Sequence, residues 1–210
     1  MRRRDLPLYL AGTSLALTRL PVAAAAVEGR DYTRLAQPVR VAVAGKVEVV
    51  EFFGYWCPHC SALEPDLEAW VSKLPADVNF RRIPVAFRAA DDLLQKLYFA
   101  LESLGWLNAL HRKVFSAIHV QRQSFNNEAD VVAFAKAQGV DSAKLVDALK
   151  SFGTATKARQ AKQLAETYRI DSVPSLYVQG RYTTSVAAAG SQQQMLLVLD
   201  ELIAKVRKAG

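Results

Sequence analysis

A dense β-branched and aromatic run stands at residues 46–53, KVEVVEFF, where only Lys46, Glu48 and Glu51 are polar. A short run this rich in β-branched and aromatic residues reads as a buried central strand. Past Gly54 the apolar residues change period. Leu63, Leu67, Trp70, Val71 and Leu74 recur at three- and four-residue steps, the spacing of one helix face. Pro65 lies inside that helix and is expected to kink it. The segment VNFRRIPVAF at 78–87 returns to strand composition. A strand–helix–strand order predicts that it runs parallel to the first strand.

From about residue 90 to about residue 169 the period is helical. Leu93, Leu94, Leu97, Leu101 and Leu104 mark one helix that ends near Gly105, and Leu107, Leu110, Val114, Phe115 and Ile118 mark another. Asn126 or Asn127 is suited to cap a third, stopped by Gly139. Asp141 or Ser142 opens a fourth, stopped at Gly153, and a fifth runs from Thr154 to Tyr168. These apolar stripes read as core. SLYV at 175–178, a Gln179-Gly180 turn and RYTT at 181–184 predict a β-hairpin. Ser191 caps a last helix whose apolar face is Met195, Val198, Leu199, Leu202, Ile203 and Val206. The fold class is therefore α/β. Residues 27–88 and 170–210 form one small sandwich, interrupted by an all-helical insertion at 89–169.

Composition refines this picture. With 51% hydrophobic and 22% charged residues the chain has enough apolar material for a core without staples. The formal charge is +7, and Arg2, Arg3, Arg4 and Arg19 against Asp5 account for three of those charges. The remaining basic residues are scattered, so no nucleic-acid partner is expected. The N-terminus, MRRRDLPLYLAGTSLALTRLPVAAAA, has three arginines, a short apolar stretch and then small residues. That is the layout of a secretory signal over residues 1–26, cleaved after one of Ala24 to Ala26. It predicts export to a bacterial periplasm and a soluble mature chain.

Export sharpens the question posed by YWCPHC at 55–60. Cys57 and Cys60 are the only two cysteines in 210 residues. A bridge between them closes so small a loop that it removes little entropy from the unfolded chain. The pair is better suited to cycling between thiol and disulfide than to stapling. It lies where a strand hands over to a helix. Pro58 fits the first helical position, because its missing N–H would be unpaired there anyway. At such a helix start the free N–H groups stabilise a Cys57 thiolate, and His59 beside the sulfur adds to this. Cys60, about one turn on, faces inward and serves as the resolving thiol. Zinc needs four ligands, and the chain offers no other cysteine, with His111 and His119 expected far off in the helical block. No metal site is expected.

FFGYWCPHC, the later SVPSLYVQG and the lead-in EGRDYTRL at 28–35 together resemble the thioredoxin superfamily and, within it, the DsbA family of periplasmic thiol:disulfide interchange proteins. The resemblance spans nearly the whole mature chain. It implies a thioredoxin fold with a helical insertion, and a cis proline at Pro174 that packs against the active-site disulfide. Val173 before it would offer its main chain to the client. It also implies that Glu51 and Glu64, with Arg82 near them, lie beneath the cysteines, where a buried carboxyl could relay a proton to Cys60. The implied activity is a monomeric dithiol oxidase with no bound cofactor. Its clients would be unfolded exported proteins with free thiols, and a DsbB-like membrane quinone reductase would reoxidise it. A disulfide isomerase or reductase of the same fold is the alternative enzyme. A non-catalytic binding or chaperone module is the alternative outside enzymes.

Overall fold

A computed structural model of the protein describes residues 25–209. The expected leader, residues 1–26, lies outside these save for its last two residues. The chain opens with a two-residue strand, β1 (Thr33–Arg34), followed by β2 (Val47–Phe53), α1 (Pro58–Val71) and β3 (Val78–Pro84). Five helices follow: α2 (Asp92–Ser103), α3 (Leu107–His119), α4 (Glu128–Ala137), α5 (Ser142–Lys150) and α6 (Phe152–Tyr168). The hairpin β4 (Ser175–Val178) and β5 (Tyr182–Thr184) then leads through the short α7 (Val186–Ala189) to α8 (Gln192–Ala209).

The strands form one sheet in the order β1-β5-β4-β2-β3. β2 lies parallel to β3 and antiparallel to β4, so it is central, and all seven of its residues are buried. Alternation along β2 and β4 divides the core between the two faces of the sheet. Val49, Leu176 and Val178 pack with Leu63 and Leu67 of α1 and with Met195, Leu199 and Leu202 of α8. Val50, Phe52 and Tyr177 face the other way, toward Leu97 and Leu101 of α2, Val114 and Phe115 of α3 and Tyr168 of α6. The helical segment therefore shares a core with the sheet rather than hanging from it.

Several boundaries differ from the sequence expectation for local reasons. The strand expected over 78–87 ends at Pro84, because its partner β2 ends at Phe53. One further bond, from the Val85 N–H to the Phe53 carbonyl at 2.8 Å, closes the ladder. Gly153 does not stop a helix. Ser151 ends α5 and caps α6, its hydroxyl accepting from the Thr154 N–H at 3.1 Å, so Gly153 falls in the first turn of α6. β1 and α7 were not anticipated. β1 is held by pairing with β5, and α7 is capped by Ser185, whose hydroxyl accepts from the Ala188 N–H at 3.2 Å. Asn127, Asp141 and Ser191 do act as helix caps.

Candidate active site

Cys57 is the residue before the first turn of α1, with extended backbone, and Pro58 occupies the first helical position. A hydrogen bond from the Cys57 N–H to the Gly54 carbonyl at 3.0 Å closes the Gly54–Cys57 turn that joins β2 to α1. Gly54 is required by its neighbour: a Cβ there would lie 2.6 Å from the Trp56 indole. The indole folds back over Gly54 and meets the half-exposed ring of Phe87 at 5.6 Å between centroids. This forms an apolar shoulder beside Cys57.

Cys57 keeps only 3% of its surface exposed, less than a helix-start position alone would suggest. Part of the cover is the Val173 main chain, whose carbonyl accepts a hydrogen bond from the Cys57 thiol at 3.4 Å. The Val173–Pro174 peptide is cis. The structure thus brings Cys57, Cys60, Val173 and Pro174 together from opposite ends of the chain. His59 lies on the exposed side of the α1 start.

The two thiols differ sharply. A hydrogen bond from the Cys60 thiol, opposed by burial and helped by the Cys60 and His59 backbone N–H groups, lowers Cys57 from 9.0 to about 6. The charge of His59 is the least of these causes, so the main-chain N–H groups and the partner thiol outrank the imidazole that the sequence pointed to. Cys60 is pushed far up, first by burial and then by its bond to Cys57. One sulfur is poised as a thiolate and the other as a thiol.

Beneath them lies a buried ion cluster. β2–β3 register sets Glu51 opposite Arg82, and α1 brings in Glu64. Arg82 Nη2 donates to Glu64 Oε1 at 2.7 Å, and its Nε sits 3.1 Å from Glu51 Oε2 at an angle short of a hydrogen bond. Both glutamates are at most 3% exposed. One guanidinium cannot fully compensate two buried carboxylates. Burial, eased by Arg82 and reinforced by the charge of Glu64, raises Glu51 from 4.5 to about 8. The negative charge of Glu51 in turn opposes ionisation of Cys60.

The expectation that His111 and His119 lie far from this site is overturned. Both project from α3 onto Tyr55: His111 Nδ1 lies 2.7 Å from the Tyr55 hydroxyl, and His119 Nε2 lies 2.8 Å from the Tyr55 carbonyl. His111 Nε2 also lies 3.4 Å from Glu64 Oε2. Burial lowers His111, keeping it a neutral imidazole, and raises the Tyr55 phenol, keeping its proton. The sequence signal for these residues was present but faint. His111, Phe115 and His119 are spaced four apart, one stripe of a helix, on an otherwise apolar face.

Comparison with known proteins finds relatives over most of the chain. Residues 80–200 match the model of the DSBA-like thioredoxin domain, and residues 36–95 match that of thioredoxin. The chain is 41% identical over 201 residues to the thiol:disulfide interchange protein DsbA of Bordetella parapertussis, covering 95% of this chain and 96% of that one. It is 38% identical over 181 residues to the protein of the same name in Pseudomonas aeruginosa, covering 86% of each. The crystal structure of Pseudomonas aeruginosa DsbA superposes with a TM-score of 0.84 at 37% identity, over 88% of this chain and 96% of that one. The oxidoreductase NmDsbA1 from Neisseria meningitidis gives 0.78 at 31% identity, over 87% and 95%. With a paired thiolate and thiol at the head of a helix, and with a domain match and relatives that cover most of its length, the chain belongs to the DsbA family of thiol:disulfide oxidoreductases.

Proposed function

We propose that the protein acts in the periplasm as a dithiol oxidase, passing the Cys57–Cys60 disulfide to newly exported proteins. The observation that carries this direction is the asymmetry of the pair, with Cys57 lowered to about 6 and Cys60 raised far above its ordinary value. A stabilised thiolate favours the reduced enzyme, and so makes the disulfide a strong oxidant.

In the first step a client thiolate attacks Cys57 Sγ. The Cys57–Cys60 bond breaks, and its electron pair leaves on the Cys60 sulfur. Burial makes a Cys60 thiolate costly, so it takes a proton. The Glu51 carboxyl, protonated below about pH 8, is the acid of the cluster whose charge acts on Cys60, and is the group suited to supply it. A second client thiolate then attacks the client sulfur of the mixed disulfide. Cys57 departs as a thiolate, and its low pKa makes it a good leaving group. The client loses two electrons and two protons overall; the enzyme gains both electrons and one proton, on Cys60, and the other proton goes to solvent. Pro58 and His59 shape the helix start that holds the Cys57 charge. The Val173 main chain, already against Cys57, offers backbone groups to an extended client segment.

Renewed activity requires a partner that removes two electrons, and a DsbB-like membrane quinone reductase is the chemistry that fits. The redox group is the protein's own disulfide, and the reading needs no nucleic acid, no metal and no second copy of the chain. The test is the Cys57–Cys60 equilibrium in glutathione buffers. A potential well above the thioredoxin value of about −270 mV supports the oxidase. A potential at that value would make the protein a reductant and sink this reading.

A further inference from the structure

Tyr55 is the second residue of the four-residue turn that delivers Cys57 to the head of α1. It is 1% exposed and is held at both ends by one helix. Its hydroxyl meets His111 and its carbonyl meets His119, at 2.7 and 2.8 Å. The eight helical steps from His111 to His119 span about 12 Å. Phe115 fills the space between them, its ring centroid 5.0 Å from that of Tyr55. α3 therefore covers Tyr55 from its phenol to its peptide group. Neither histidine belongs to the strands or helix that carry the cysteines. Both come from the helical segment inserted between β3 and β4.

The contact to the carbonyl matters most. The Tyr55 C=O belongs to the peptide joining Tyr55 to Trp56, inside the turn closed by the Cys57 N–H to Gly54 carbonyl bond. Rotation of that peptide would swing Trp56 off Gly54 and shift Cys57 relative to the N–H groups of the first helical turn. A thiolate gains from those groups only while it stays near them, since the effect falls off within a turn.

We propose that His111 and His119 are positioning residues that clamp Tyr55 and thereby set the thiolate stability of Cys57, so that the inserted helices tune the redox poise of the active site. The clamp rests on the reading of Cys57 as the reacting sulfur. Two features distinguish it from ordinary core packing. A hydrogen-bond donor at the His119 Nε2 position is sufficient for the contact, whatever carries it. The consequence of losing it falls on the Cys57 sulfur rather than on stability alone.

The experiment compares the full mature protein with His119→Gln, His119→Leu and Tyr55→Phe. Glutamine places an N–H where the imidazole Nε2 stood; leucine removes the donor; phenylalanine removes only the hydroxyl that meets His111. For each, the thiolate absorbance of the reduced protein is titrated and the equilibrium with glutathione is measured. The expected result is that His119→Leu and Tyr55→Phe each move the thiolate midpoint to higher pH and shift the glutathione equilibrium toward the disulfide by about fivefold or more. His119→Gln should stay within about twofold of the parent. Should His119→Leu fail to fold, Tyr55→Phe, which keeps the ring and its packing, decides the matter by the same readouts. The clamp is overturned if the folded variants change only in melting temperature while both redox readouts stay at the parent values. It is overturned equally if His119→Gln shifts as far as His119→Leu. A parent protein with no thiolate midpoint below the ordinary cysteine range would instead sink the reading of Cys57 itself, and the clamp with it.

Discussion

The Cys57 thiol lies 3.4 Å from the Val173 carbonyl, a pairing of residues 116 positions apart in the chain. A carbonyl oxygen accepts from a thiol and repels a thiolate, so this neighbour opposes ionisation. The lowered value of about 6 comes from the Cys60 thiol first, against burial, and from the helix-start N–H groups after it. The thiolate absorbance of the reduced protein should therefore rise with a midpoint near pH 6. In Cys60→Ala the strongest stabilising partner is gone, and the midpoint should climb by about one unit or more. An unchanged midpoint in that variant would show that the helix start alone sustains the thiolate.

The same shift links redox state to stability. The Cys57 pKa is depressed in the folded reduced protein from 9.0 to about 6. The stabilisation it gives is complete above the unfolded pKa and is lost as pH falls through the folded one. Its full size is on the order of 4 kcal/mol, from three units at about 1.4 kcal/mol each. Glu51 runs the other way: its raised pKa costs stability as pH climbs from 4.5 toward 8. The difference between the reduced parent and Cys57→Ala cancels Glu51 and isolates the thiol. Urea unfolding at pH 5, 6.5 and 8 should show that difference growing steadily in favour of the parent.

Gly54→Ala tests the turn by steric means. The added Cβ would meet the Trp56 ring at 2.6 Å, so the indole must leave its place over the turn. Overpacking of this kind costs about 1–3 kcal/mol. Oxidation of a model dithiol peptide should slow together with a fall in melting temperature. Full activity in this variant would mean that the seat of Trp56 is irrelevant to Cys57.

Much of this site was legible in the residues themselves. The helix-start location of CPHC follows from a period change at Gly54, and local patterns carry such information well. That Glu51, Glu64 and Arg82 gather beneath the cysteines was implied by the family resemblance, whereas the register that sets Glu51 opposite Arg82 came from the structure. What escaped were contacts that depend on how α3 docks. His111 and His119 sit on a face that reads as ordinary core, and nothing local says that this face meets Tyr55. The burial of Cys57 escaped for a similar reason, since part of its cover comes from Val173, on the far side of the insertion. The two-residue β1 carries no periodic signal and exists only because β5 offers it an edge.

Glu51→Gln removes the exchangeable proton while keeping the shape. If the carboxyl serves Cys60, attack by Cys60 on a mixed disulfide during reoxidation should slow about tenfold or more, and its pH dependence near 8 should flatten. The variant should also lose the stability penalty that Glu51 imposes above pH 4.5, and so match or exceed the parent in urea at pH 8. A reoxidation rate and pH profile identical to the parent's would leave Glu51 as a structural residue only.

Arg82→Met asks what holds the cluster together. Arg82 is the only cation among the described residues that contacts both Glu51 and Glu64, at 3.1 and 2.7 Å. Its removal strands two buried carboxyls, and breaking a buried pair from one side costs about 3–5 kcal/mol. His111 cannot take its place at neutral pH, because burial keeps the imidazole uncharged. The loss should be largest near pH 8, where both carboxylates would be ionised in the unfolded chain. It should shrink as pH falls toward 5, where Glu51, raised to about 8 by burial even with Arg82 in place, holds its proton in the folded chain and its uncompensated charge disappears. Urea midpoints of the oxidised variant and parent across that range measure this directly, free of the Cys57 thiolate. A constant difference at every pH would mean that Arg82 contributes by packing its methylenes against Phe80, whose ring lies 5.0 Å from the guanidinium, rather than by its charge.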